Sequence, residues 1–396
     1  MGVPLRKNVQ FQLLWFGGAV SQLGTQLTTV AVPLLLYAVT GSIFWAGVVA
    51  GVRTAALVLT QMPAGVWVDR WDRGKVLVRS QTTQAVAVAA MAVNVVTGAN
   101  SVLVFVVLAA VDGACTAFTG PARTAAVKAV VPPEQLKTAY AQEEARGHVA
   151  WLAGPPIGAL LFGLGRAVPF LADALSFLVA AVCAWCAKIP PRAGEQPRQR
   201  MHHDLRDAWR WLWRRRGLRN LVAVFLALNL LGSAGLLPVM ALVKERGGAD
   251  WLVGLVLTGI GVGGVLGAVL SPRVTAAPGR LLVAVLTLFG ACNIAMVLPF
   301  GAWWPFVPLM LTAIGTPLLN VSVNSVFTAM VPDELMGRMD AVLTFFTRAV
   351  TPAAPVLGAF VAGLAGAGVA LALFGALILV TAVVAAFTDL RTTVPR

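Results

Sequence analysis

SVLVFVVLAAVDGACTAFTGPARTAAVKAV, residues 101–130, is 30 residues of nearly unbroken apolar sequence with one carboxylate, Asp112, near its middle. A helix of that length reaches about 45 Å, more than the roughly 30 Å of a bilayer's hydrocarbon core. Outward from it, comparable runs fall at 11–38, 43–68, 75–97, 138–163, 167–187, 219–243, 251–271, 281–299, 303–330, 341–363 and 367–387. With 101–130 they make twelve candidate spans. The 396-residue chain is 58% hydrophobic and only 12% charged, where a soluble domain carries about 25% charged residues. Too little polar surface is left to coat a water-soluble globule, and lipid is the expected solvent.

The net charge of +14 is a matter of topology. Of the 30 Lys and Arg, 23 lie in one alternate set of loops, tails and adjoining helix ends, against Arg166, Lys244 and Arg246 in the other. This positive-inside asymmetry puts both termini in the cytoplasm and speaks against a nucleic-acid partner. The apolar run after Lys7 is too long for the core of a cleaved signal and is read as a retained first span. Arg6 stands where an N-myristoylation signal needs Ser or Thr.

Cofactor chemistry finds no support. Cys183 and Cys186 have the C-x-x-C spacing, but inside an apolar span without a second pair, so they are packing thiols and no metal is expected. Gly259, Gly261, Gly263, Gly264 and Gly267 follow no strand; in a span, such small residues let helix backbones approach closely. No nucleotide-binding loop is present, which removes ATP as an internal drive, and no nucleophile–base or metal constellation points to an enzyme.

Six spans precede and six follow the polar segment 188–218. Its first part is Pro-rich; its second sets Leu205, Trp209, Leu212 and Leu218 on one helical face and arginines on the other, an interfacial amphipathic helix. Residues 1–187 and 219–396 therefore read as two six-helix domains joined by a basic linker. A shift of 200 aligns them without gaps: Val131 with Val331, Pro132 with Pro332, Glu134 with Glu334, Pro155 with Pro355, Gly158 with Gly358, Gly163 with Gly363. Two parallel six-helix repeats are an architecture of secondary transporters, with the substrate site near the membrane midplane.

PAGVWVDRWDRGKVL, after the second span, resembles the G-x-x-x-D-R-x-x-R-x-K signature of the major facilitator superfamily, carried here by Gly65, Asp69, Arg70, Arg73 and Lys75. GPPIGA in the fifth span is similar to a motif of that superfamily's exporters, through Gly154, Pro155 and Gly158, with Ala159 in place of the usual second glycine. VPPEQL, PFLADALSF, GVGGVLGAVLSPR and VPDELMGR extend the resemblance over nearly the whole chain, toward a bacterial branch with siderophore and macrolide efflux proteins. In two places the chain departs from it. Ser271 stands where the first repeat has Asp69, and Thr25 follows Gly24 where many relatives carry an acid, which argues against a proton carrier in the first span. The resemblance implies a conformational latch at Asp69, whose carboxylate would face a helix start near Asp340, worth about 0.3–1 kcal/mol.

Polar residues recur at one-face spacing in spans one (Gln22, Thr25, Gln26, Thr29), four (Asp112, Thr116, Thr119, Arg123), seven (Asn229, Ser233) and ten (Thr312, Thr316, Asn320, Asn324, Thr328). The resemblance identifies these four spans as cavity-lining. Hydroxyls and amides in an apolar frame suit an amphipathic organic molecule, and Gln22, Thr25, Gln26, Thr116, Thr119, Asn229, Ser233, Thr316, Asn320 and Asn324 are the candidate substrate contacts. Asp112 and Arg53 each lie 11 residues from the outer end of their span, roughly 16 Å deep. At least about 2.5–3.5 kcal/mol is the cost of one charge at the bilayer centre, so two opposite charges at one depth are expected to meet. Burial disfavours the carboxylate's charge and Arg53 favours it, which makes the pair a candidate proton switch; a permanent structural pair is the alternative. Glu143, Glu144, Arg146 and His148 crowd the start of the fifth span as a gate network or a solvated helix end, and Asp173 reads as structural.

The expectation is an all-α membrane protein of about twelve helices in two parallel repeats: a monomeric, multi-pass protein of the bacterial inner membrane. It would export a small amphipathic compound in exchange for protons, without a cofactor. Uptake or uncoupled facilitation, and a membrane sensor or scaffold, are the alternatives.

Overall fold

A computed structural model describes residues 4–68, 71–190, 216–274, 278–330 and 349–387. Its α-helices are α1 (Val9–Thr40), α2 (Ile43–Val68), α3 (Arg73–Val96), α4 (Val102–Val130), α5 (Leu136–Leu164), α6 (Val168–Cys186), α7 (Arg216–Ala234), α8 (Leu236–Glu245), α9 (Asp250–Leu270), α10 (Pro278–Ala295), α11 (Phe306–Met330), α12 (Ala353–Ala365) and α13 (Ala367–Phe387). With α7 and α8 joined as one, nine among the described residues are long and apolar enough to cross a membrane, and three shorter apolar helices bring the described segments to twelve. Among the described residues there is no strand.

The chain divides into two compact units, Met1–Gly194 with Ala249–Thr258, and Glu195–Gly248 with Gly259–Arg396. The amphipathic helix expected over 205–218 falls mostly outside the described residues, and α7 has already begun at Arg216. In the first unit α2 packs on α4, α3 on α4 and α6, and α1 on α5 and α6. Phe11, Leu35, Phe105 and Phe170 are wholly buried there. Leu59, Leu103, Leu164, Leu175 and Trp185 point outward, a belt of apolar surface too extensive for water and suited to lipid. Asn8 organises one end: its Oδ1 caps α1 by accepting from the Phe11 amide at 3.1 Å, and its Nδ2 donates to the Val130 carbonyl at 2.8 Å. The start of α1 is thereby tied to the end of α4.

The repeat seen in the sequence recurs in the packing. A Cβ on Gly158 would meet the Leu27 backbone of α1, and a Cβ on Gly358 would meet the Ala234 carbonyl at the end of α7. In each unit, then, a glycine of the fifth repeat helix seats it against the first. The seventh span, expected as one helix over 219–243, is instead two, α7 and α8, parted at Gly235. Pro238 has no N–H to return to the Ala234 carbonyl, so the ladder stops there.

In α9, Gly259, Gly263 and Gly267 lie four apart and face the carbonyls of Phe306, Met310 and Ile314 on α11, which have the same spacing. Helices in lipid associate through such close contact, since tails are as apolar as side chains. Gly264 faces open space. Gly263→Val is therefore expected to destabilise the protein by about 1–3 kcal/mol through overpacking, while Gly264→Val, with the same propensity change, leaves the melting temperature of the detergent-solubilised protein nearly unchanged. Equal melting temperatures for the two variants would contradict this packing.

Candidate functional site

Arg53 of α2 and Asp112 of α4 meet because their helices cross at a glycine: a Cβ on Gly113 would overlap the Arg53 carbonyl. Arg53 Nε lies 2.6 Å from Asp112 Oδ2. The other carboxylate oxygen accepts from Gln84 Nε2 of α3 at 2.8 Å, and the same nitrogen is 3.1 Å from Thr116 Oγ1. Thr119 Oγ1, whose proton goes to the Cys115 carbonyl at 3.0 Å, stands 3.5 Å from Gln84 Oε1. Asp112 is 6% exposed. Three helices thus hold one buried carboxylate with a guanidinium on one oxygen and an amide on the other, a charge-assisted arrangement.

A proton on Asp112 would cancel the negative half of the pair and turn an acceptor into a donor. Gln84 has both kinds of end, so rotation of its amide offers the new O–H an acceptor. Sequence reading missed Gln84, although the signal was there: counted back from Val96 it is 12 residues deep, almost the depth that singled out Arg53 and Asp112.

Asp173 of α6, read as structural, is a second buried acid at 1% exposure. It accepts from Thr28 Oγ1 at 2.6 Å and from Ser176 Oγ at 3.1 Å, without a cation in hydrogen-bond reach among the described residues.

Of the signature after α2, Asp69 and Arg70 lie outside the described residues, and Gly65 is in the last turns of α2. Asp72, which the sequence reading left unassigned, caps α3 by accepting from the Lys75 amide at 3.2 Å, with Lys75 Nζ 3.9 Å from its carboxylate. Arg73, also of the signature, donates from Nη1 to the Ala125 carbonyl at 3.1 Å, fastening α3 to the end of α4. Trp67, Trp71 and Phe118 stack beside this junction.

The fifth-span motif is a seam. A Cβ on Gly154 would overlap Gln26, and Gln26, a candidate substrate contact, is 7% exposed within that seam. Gln22 accepts from Arg146 Nε at 3.2 Å. Pro155 and Pro156 lie inside a helix that continues through them. Thr25, Thr116, Thr119 and Asn229 each donate to a carbonyl one turn back on their own helix, a common resting bond for such side chains. In the second unit Ser233, Thr316 and Asn320 are exposed, and the side chain of Asn324 is outside those described.

The sequence profile of the Major Facilitator Superfamily matches residues 14–350. Enterobactin exporter EntS of Salmonella typhi is 25% identical over 349 residues, 86% of this chain and 82% of its own. Multidrug efflux pump Tap of Mycobacterium bovis is 26% identical over 375 residues, 89% of this chain and 85% of its own. Among solved structures, a bacterial homologue of the iron transporter ferroportin in its inward-facing state superposes with a TM-score of 0.74 at 16% identity, covering 97% of this chain and 99% of that one. The nucleoside transporter NupG gives 0.75 at 13% identity, covering 95% and 98%. Twelve apolar helical segments, a repeated packing of span five on span one, and this match over most of the length lead to one conclusion: the chain is a multi-pass membrane transporter of the Major Facilitator Superfamily.

Proposed function

We propose that this transporter exports a small amphipathic organic compound across the bacterial inner membrane, as a monomer, by exchanging it for protons through alternating access. The observation that carries the reading is the network of Arg53, Gln84 and Asp112. It is a titratable carboxylate held at mid-helix by partners that accommodate both protonation states. Antiport needs such a group, because the proton must bind the two conformations with different affinity. The similarity to EntS, an enterobactin exporter, and to Tap, a multidrug efflux pump, supports the outward direction. The hydroxyls and amides at Thr25, Thr116, Thr119, Asn229, Ser233, Thr316 and Asn320 support a neutral-to-polar face for the cargo. Gly65, Asp69, Arg70, Arg73 and Lys75 form the latch of the closed basic side, with both termini cytoplasmic.

Cells with and without the gene, challenged with a panel of antibiotics, dyes and siderophores, test the reading. Lower accumulation of at least one compound in the expressing cells, abolished by a protonophore, is expected. Higher accumulation would reverse the direction, and no difference for any compound would sink the export reading.

A further inference from the structure

Arg123 of α4 and Arg146 of α5 take no part in the Asp112 network. Arg123 is seven residues from the end of α4, Arg146 ten from the start of α5, and Gly18 nine from the start of α1. These ends share one side of the first unit, joined there by the bond from Asn8 to Val130. At about 1.5 Å per residue, all three residues lie roughly 10–15 Å in from that side.

Both guanidiniums converge on the face of Gly18, where a Cβ would overlap the Nη1 atoms of Arg123 and Arg146 together. Arg146 donates from Nη1 to Glu143 Oε1 at 2.7 Å and from Nε to Gln22 Oε1 at 3.2 Å. Arg123 donates from Nη1 to the Leu14 carbonyl at 2.7 Å. Its other N–H groups have no protein acceptor among the described residues. Arg146 and Glu143 side chains are 10% and 15% exposed. Among the described residues one carboxylate faces two guanidiniums that cannot lose their protons, so the cluster as described holds one uncompensated positive charge in a largely water-poor place. Such a charge calls for a counter-anion. The planar fork of arginine is matched to carboxylate and phosphate, with two parallel bonds to one group.

We propose that Arg123 and Arg146, with Gly18 making the room, bind the anionic group of the transported molecule. The cargo is thereby an amphipathic organic anion, with a carboxylate or comparable oxyanion at one end. The proposal rests on the export reading for the identity of its ligand, and it assigns Arg123 and Arg146 a task separate from proton exchange.

The test uses the full-length protein in phosphatidylcholine nanodiscs and two fluorescent probes, 1-pyrenebutyrate and its uncharged primary amide. Affinities are read by anisotropy at equilibrium, with no gradient. The wild type should prefer the carboxylate. Arg123→Gln should weaken the carboxylate at least about tenfold and leave the amide within about twofold. Gly18→Ala, which intrudes on both guanidiniums, should do the same, and Arg123→Lys should recover part of the loss. Size-exclusion profiles check folding; should Arg123→Gln not fold, Arg146→Gln and the wild-type probe preference decide alone. Equal affinity for the two probes, binding of neither, or an unchanged carboxylate affinity in a folded Arg123→Gln would overturn the proposal. Loss of carboxylate preference on replacing phosphatidylcholine with phosphatidylglycerol, or full competition by millimolar phosphate or chloride, would assign the cluster to a lipid headgroup or a free ion and equally overturn it. Because no gradient is applied, failure here leaves proton-coupled export standing, and failure of coupling leaves this binding result standing.

Discussion

Arg53→Ala is expected to remove most of the folded protein from the membrane fraction. The substitution strands Asp112, 6% exposed, with Gln84 and Thr116 nearby but no other cation in hydrogen-bond reach among the described residues. Breaking a buried pair by deleting one partner typically costs about 3–5 kcal/mol, because the remaining charge has lost its compensation. Against a total stability of about 5–15 kcal/mol that loss is decisive. The reverse substitution, Asp112→Asn, should be milder, since asparagine keeps the shape and still presents an acceptor oxygen to the hydrogen-bonding groups around it. The check is the yield of monodisperse protein and its melting temperature in detergent. Equal yields from Arg53→Ala and Asp112→Asn would show that the carboxylate is not held as described.

Asp112→Asn is expected to abolish pH-driven transport while leaving exchange of substrate for substrate intact. Asparagine keeps the shape, and its Oδ1 still accepts from Gln84, so packing of α2, α3 and α4 survives. What is lost is the group that binds a proton in one conformation and releases it in another, and a ligand without differential affinity shifts no equilibrium. Counterflow of a labelled substrate in proteoliposomes measures the retained half, and uptake driven by an imposed pH step measures the lost half. A variant that keeps both would clear Asp112 of the role.

Much of this was legible in the residues. The twelve apolar segments followed from hydropathy and length alone, and the meeting of Arg53 with Asp112 from counting helical rise on two spans. Gly158 and Gly358, matched by a shift of 200, have the same packing task in their own units. What escaped was set by contacts that only three dimensions reveal. Gln84 looked like any amide on a mostly apolar helix until α3 brought it to Asp112. Arg73 is fastened to a backbone carbonyl, that of Ala125 near the end of α4, a partner that no side-chain pattern marks. Gln26 had the spacing of a substrate contact, but Gly154 admits it into a seam, a matter of which neighbour lacks a Cβ. The break at Gly235 was written in Pro238, whose missing donor outweighs an apolar pattern that runs on unbroken.

The double variant Arg53→Ala with Asp112→Ala bears most directly on the claim that this pair couples proton to substrate. It removes both charges together, so no buried ion is left unpaired and the protein should be recovered at near wild-type yield. Reconstituted in liposomes with an imposed pH gradient and a compound from the efflux panel, it should exchange substrate and show no proton-driven transport. Intact proton-driven transport by the double variant would contradict the account, reduce the pair to a structural bond, and move the search for the proton carrier to Asp173.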